Sequence, residues 1–292
     1  MLPGNQWSAA LVEDDMNRRT FLAALAGAPA LAALIAACGD DSQQTSSYSF
    51  PDVPDTVVLR IGYEGGFVPP GSNFVSLPSL LVSGDGRVFT PGAMIAIYPG
   101  PLLAPLFERS ITKQGIEKLL RLADDAALLG ASPDYALPPD VMIADAPDTV
   151  VTITVNGNTY QHRANALGMD SPDGGPSTPA RDNLQKFVAL ATDVAKVAGA
   201  GNVGVEKAFI AEQYRFQSMA VDPTQWTDPA PTIVEWPADA GVTLADSAQC
   251  ATIPAPKGDG LFATATQLTF FAEADLVYQL AVIGVLPGDA VC

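Results

Sequence analysis

His162 is the one histidine in the chain, so acid–base chemistry that needs an imidazole has a single candidate, and no two- or three-histidine metal set can form. It ends an alternating stretch beside Tyr160 and Arg163. A triad built on it would need a serine on a strand-to-helix elbow, and no Gly-x-Ser-x-Gly pattern occurs. The residues therefore favour an ordinary strand-end histidine. Oxygen ligands are more abundant. Asp170, Asp173 and Asp182, with the carbonyls of Gly174-Gly175, could gather around Ca²⁺, a hard cation that takes several oxygens. Their spacing fits no EF-hand, and Asp182 falls in the first turn of an expected helix, where acid is favoured anyway. Asp140, Asp145 and Asp148 form a thinner set of the same kind. Ca²⁺ is thus the one cofactor the residues suggest, and the main expectation is none. Glycoside cleavage by paired carboxylates needs two acids about 5–10 Å apart. Glu64, Glu108, Glu206 and Glu212 are all eligible, so no pair is singled out, and Asp124-Asp125 is explained by solvation. Trp226 and Trp236 sit in Pro-rich loops, where they either stack on sugar rings or fold back on the core. The Gly-Asp-Gly and Gly-Gly sequences lack the strand-to-helix setting of a phosphate loop.

The most specific chemical pattern lies near the start. Arg18 and Arg19 precede Phe21 and Leu22, and an uncharged apolar run continues to Ala37 before Cys38. The run is about 17 residues, short for a permanent span and rich in Ala, Gly and Pro, as a removable export signal is. The arginine pair resembles a twin-arginine export signal. Ile35-Ala36-Ala37-Cys38 resembles the lipobox of bacterial lipoproteins, in which the cysteine thiol is acylated and becomes the new N-terminus. The resemblance implies a signal peptide over 1–37, a lipidated Cys38, and residence on the outer face of the cell membrane. Glu13, Asp14 and Asp15 put acid where such a signal needs base. Residues 1–15 therefore read as a misplaced start, with translation beginning at Met16. With Cys38 acylated, Cys250 and Cys292 remain as one pair in a setting where disulfides persist. Their loop of about 42 residues corresponds to roughly 4 kcal/mol of chain entropy.

Charge excludes one class of partner. The formal net charge is −17, and removing residues 1–37, with Arg18, Arg19 and three acids, changes it by a single unit. Such a field repels phosphate backbones, so nucleic acid is not a partner. It also opposes a polybasic grip on anionic lipid and leaves the acyl chain as the anchor.

The rest of the chain must position these groups. Residues 38–54 are polar and aperiodic and read as a flexible tether. Residues 55–201 read as an α+β domain, with antiparallel sheet built from hairpins and two to three packed amphipathic helices. Thr56 opens the alternating VVLRIGY, and Gly84-Asp85-Gly86 turns a hairpin. Ile116, Leu119, Leu120, Ala123 and Ala127 share a helical face that Thr112 can cap and Gly130 can end. Thr149–Val155 alternates into Asn156-Gly157, a type I′ pair, and then Thr159–His162. Thr178 and Pro179 open a second helix whose stripe is Leu184, Phe187, Val188, Ala191, Ala195 and Ala198, closed by Gly199. Residues 202–292 are β-rich: extended over Ala208–Ala220, helical over Leu261–Phe271, and an apolar strand over Leu276–Leu286. They either extend the first sheet, the favoured arrangement, or form a small second domain.

The order VLRIGYEGGF, LLVSGDGRVF, amphipathic helix, DTVVTITVNGNTYQH and LPGDAVC resembles a group of uncharacterised secreted lipoproteins of actinobacteria. The likeness covers nearly all of the chain after Cys38. It rests on turns and a cysteine pair and carries no catalytic residue with it. The expected function is a lipid-anchored, non-catalytic binding or accessory role at the cell envelope, with an envelope protein or a cell-wall component as partner. A secreted hydrolase using carboxylates, alone or with Ca²⁺, is the alternative from another class. A solute-binding lipoprotein is a third, disfavoured because two alternating βαβ halves are missing.

Overall fold

The alternating segments pair into two sheets. In the computed structural model the described residues are 48–292 without 138, 140, 142, 170–176 and 291. The expected signal motif of Arg18, Arg19, Phe21 and Leu22, the lipid site at Cys38, and the calcium candidates Asp140, Asp170 and Asp173 lie outside them. All described residues belong to one compact unit, 45–292.

The first sheet contains β1 (Val57–Glu64), β2 (Leu80–Ser83), β3 (Arg87–Pro91), β4 (Leu106–Ser110), β5 (Asp148–Val155), β6 (Asn158–Asn165) and the two-residue β7 (Lys207–Ala208). Their order is β6-β5-β1-β2-β3-β4-β7, antiparallel throughout. Asn156 and Gly157 have φ of 53° and 74°, the pair of positive values that a type I′ turn demands between β5 and β6. All four residues of β2 are buried, because this sheet is covered on both faces. One face carries Val58, Ile61, Val82, Val151 and Ile153 against the helices. The other, through Leu81 and Phe89, meets Leu286 and Phe209 from the C-terminal segment.

Helix α1 (Lys113–Asp125) begins where Thr112 Oγ1 accepts the Gly115 N–H at 3.1 Å, and buries Ile116, Leu119, Leu120 and Ala123. It ends before the expected Gly130. Leu128 N–H donates to Ala123 O at 2.9 Å and Ala127 N–H to Asp124 O at 2.8 Å, with Ala127 at φ 59°. This is a Schellman closure in which alanine occupies the left-handed position usually held by glycine. The second expected helix divides into α2 (Pro179–Ala191) and α3 (Val194–Ala198). Thr192 Oγ1 bonds back to Val188 O at 3.1 Å, and Asp193 caps the new start by accepting from Lys196 N–H. Hydroxyl and carboxylate groups that compete for backbone partners interrupt a stripe that apolar spacing alone would continue.

The second sheet comprises β8 (Gln213–Val221), β9 (Thr232–Glu235), β10 (Ala251–Pro254), β11 (Thr269–Glu273) and β12 (Leu276–Gly284), in the order β10-β8-β12-β11-β9. Only β9 and β11 run parallel. The apolar run becomes β12, central as its composition required. The helix expected over Leu261–Phe271 is displaced. Helix α4 (Ala255–Phe262) starts earlier, at the Pro254-Ala255-Pro256 entry that presets φ for a first turn. Thr269-Phe270-Phe271 becomes strand, since aromatics buried on both faces suit a covered sheet. The fold is thus broadly α+β but richer in sheet than an even mixture. Residues 202–292 give only β7 to the first sheet and build the second one. Cys250 and Cys292 are bonded, with Cα atoms 5.4 Å apart, which ties the last residue to the start of β10. No helix among the described residues is long and apolar enough to cross a membrane.

Candidate functional site

Strand alternation decides which loops share an end of the first sheet. Because β1 to β4 are consecutive antiparallel neighbours, the β1–β2 loop (65–79) and the β3–β4 loop (92–105) leave the same end, and the turns at 84–86 and 156–157 occupy the other.

Both loops are rooted in the body and apolar at their tips. In the longer one, Gly92 N–H donates to Pro105 O at 2.8 Å, closing its neck. Gln267 N–H donates to Gly100 O at 2.9 Å, Gly100 N–H donates to Gln267 Oε1 at 3.2 Å, and Leu102 N–H donates to Ala265 O at 2.9 Å. Leu102 and Leu103 pack against the second sheet's core. Between these feet Met94, Ile95, Ile97 and Tyr98 are 55–67% exposed. In the other loop Ser76 and Ser79 hydroxyls donate to the Tyr63 and Ile61 carbonyls, and Gly71, at φ 81°, lies so near β12 that a Cβ there would stand 2.9 Å from Ala281 Cβ. Its tip presents Phe67, 87% exposed, and Val68. Single exposed apolar side chains such as Val205 and Ile210 also occur elsewhere, but six fall on these two loops, and a group of that kind marks an interaction surface more often than a solvent face.

The chain enters the body at the opposite end. Asn156 N–H donates to Ser49 O at 2.6 Å and Ser49 N–H to Asn156 Oδ1 at 2.8 Å, while Tyr48 OH donates to Asp124 Oδ2 at 3.0 Å. Lys113 pairs with Asp52, and Arg87 Nη2 donates to Pro54 O. The body therefore begins by Tyr48, ahead of the expected tether boundary at residue 54.

The candidate chemical groups are dispersed. His162 is fully buried. Its Nε2 lies 2.8 Å from Leu128 O, which can only accept, so Nε2 carries the proton and Nδ1 accepts from Tyr135 OH at 2.8 Å. The imidazole thus holds the loop after α1 to β6 and has no access to a substrate. Burial pushes the Tyr135 hydroxyl up to about 12. Asp182 sits in the first turn of α2, and no group of three or more metal-ligating side chains occurs among the described residues. Asp148 is held by Arg163 at 2.8 Å and by Asn165 at 3.0 Å. The Arg163 bond keeps its carboxyl below the usual range, against opposing desolvation. Glu64 bonds the same Arg163, and Glu206 pairs with Arg109. Glu108 and Glu212 do line one cleft, of about 1040 Å³, but Glu108 is held by Lys207 at 3.5 Å. Trp226 packs edge-on against Phe270, with centroids 5.0 Å apart. Trp236 is buried, its indole N–H donating to Val242 O at 2.9 Å. Both tryptophans have turned to the core.

Two features escaped sequence reasoning. The loop tips carry no periodicity, although AMIAIYP between Gly92 and Gly100 is an apolar run outside any strand pattern. Arg181, at the start of α2, is fully buried and donates to the carbonyls of Tyr135, Asn165 and Ala166. Nothing in its spacing signals that. Comparison of the chain with known protein families, with curated proteins and with solved structures finds no match.

Proposed function

We propose that this chain is a lipid-anchored, non-catalytic protein of the cell envelope that holds a partner protein with the apolar loops 65–79 and 92–105. The observation that carries the reading is the exposure of Phe67, Val68, Met94, Ile95, Ile97 and Tyr98 at one end of the first sheet. Aliphatic tips on braced loops suit a protein partner better than a polyhydroxylated sugar, which asks for convergent polar groups. The single histidine, engaged at both nitrogens, supports a role without acid–base catalysis.

The test is a photo-crosslinking residue placed at Ile95, or at Thr159 on the opposite end as a control, in cells that export the protein. A discrete adduct from position 95 and none from 159 is expected. Equal adducts from both positions, or none from either, would refute the reading. A carboxylate hydrolase is the second reading, supported by Glu108 and Glu212 in one cleft. It expects Glu212→Gln to abolish a glycosidase activity that the crosslinking surface does not affect.

A further inference from the structure

Between the two sheets, two arginines share one carboxylate. Arg60 of β1 faces the second sheet from the Leu81 side of the first, and its Nη1 donates to Asp289 Oδ1 at 3.0 Å. Arg215 of β8 approaches from the other side, with Nη2 3.6 Å from Asp289 Oδ2, too long for a hydrogen bond. That oxygen accepts instead from Leu286 N–H at 3.2 Å. The Asp289 side chain is only 4% exposed. Arg215 Nε is buried with no hydrogen-bond partner among the described residues, and its guanidinium lies over the Phe74 ring at 5.1 Å. Two guanidiniums against one carboxylate leave a surplus positive charge and donors unused. The Arg60 and Arg215 side chains are 31% and 18% exposed, so the surplus is partly desolvated and a further counter-ion would be favoured.

Both arginines line a cavity of about 370 Å³, with Asn73, Ser76, Tyr63 and Glu64 around it. Glu64 shares Arg163 with Asp148, so it is turned toward that guanidinium at the rim and only part of its charge is met there. Asn73 contributes an amide, while the Ser76 hydroxyl donates its proton to the Tyr63 carbonyl. The volume is at the small end of ligand pockets. A planar guanidinium fork matches the geometry of carboxylate and phosphate oxygens. We propose that this cavity binds a small oxyanion, a carboxylate or a phosphate group, through Arg60 and Arg215. The chain's net charge of −17 makes the pocket a local positive point in a negative field. Recognition is therefore short-range, which favours compact anions over polyanions. The foot of loop 65–79 walls this cavity through Asn73 and Ser76, but the anion site rests on Arg60 and Arg215 and survives if the exposed tip at Phe67 and Val68 binds nothing.

The test follows the Arg215 Nε–H resonance of the ¹⁵N-labelled full chain during titration with inorganic phosphate and, separately, with citrate, each against sodium chloride at matched ionic strength. The expected result is a saturable shift with at least one of the two by roughly 10 mM, where an affinity of about 1 mM would be near saturation. Which one saturates separates a phosphate from a carboxylate site. Calorimetry with Arg60→Gln should show binding about tenfold weaker. Arg215→Lys, which keeps the charge and drops the fork, should weaken it as well. No saturable shift with either anion, an equal shift with chloride, or unchanged affinity in Arg60→Gln would overturn the proposal. The wild-type titration decides the matter even if a variant fails to fold.

Discussion

Tyr135→Phe isolates the contact that makes His162 structural. The substitution keeps the ring, which meets the imidazole edge-on with centroids 5.8 Å apart, and removes only the hydroxyl that donates to Nδ1 at 2.8 Å. His162 is fully buried, so its Nδ1 lone pair is left without water as well as without a partner. An orphaned buried acceptor costs about 1–3 kcal/mol. For a domain of this size that is a fall in Tm of roughly 2–12 °C. A second readout comes from alkaline pH. Burial raises the Tyr135 hydroxyl from 10.0 to about 12, so the folded state holds its proton more tightly than the unfolded chain does. The stabilisation is complete below pH 10 and is lost as pH climbs from 10 toward 12, by up to about 1.4 kcal/mol per pH unit. Tyr214, raised to about 12 by burial and then by Asp259, adds a second loss over the same window. Urea unfolding of wild type and Tyr135→Phe, at pH 7 and at steps from 9 to 12, measures both effects. The variant should be weaker at neutral pH and show a shallower alkaline decline. Equal stability at pH 7 together with an unchanged alkaline slope would refute the account of His162 as a buried clamp.

Other consequences are checked by similar means. Cys292→Ser should cost up to roughly 4 kcal/mol, from the loop of 42 residues that the Cys250–Cys292 bond closes, and reducing agent should bring the wild type down to match it in thermal melts. Gly71→Ala should cost about 2 kcal/mol or more, because φ is 81° and the new methyl meets Ala281 Cβ at 2.9 Å. Gly157→Ala, with φ 74° and open space around it, should cost only the backbone part, about 1 kcal/mol, as paired denaturant curves would show. Arg163 holds the Asp148 carboxyl below its ordinary 3.8. The pair's contribution is therefore present above pH 3.8 and fades as pH falls through the depressed value. At 45% and 29% side-chain exposure it is worth under about 1 kcal/mol, and Asp148→Asn should remove that part of the acid transition.

Local chemistry made the hairpins legible. Asn156-Gly157 and Gly84-Asp85-Gly86 have few conformations open to them, and the caps at Thr112 and Thr178 are single-residue decisions. Helix ends were less readable where a competing local bond decides them, as with the Schellman closure at Ala127 and the break at Thr192. The Leu261–Phe271 misreading has a tertiary cause. Phe270 and Phe271 are apolar at helical and strand spacing alike, and only pairing with β9 and β12 selects the strand. The Arg60–Asp289–Arg215 cluster joins residues far apart in the chain, so its assembly depended on how the second sheet docks. No periodicity could place it.

The position of β12 fixes when the second sheet can exist. It follows the other four strands of its sheet in the chain, yet it lies third of five, between β8 and β11. Before it emerges, the chain has only β8 with β10 and β9 with β11, two ribbons of two strands, each marginal alone. A protein cut short ahead of Leu276 would therefore lose a whole layer rather than one edge. During synthesis this layer can close only once β12 has emerged.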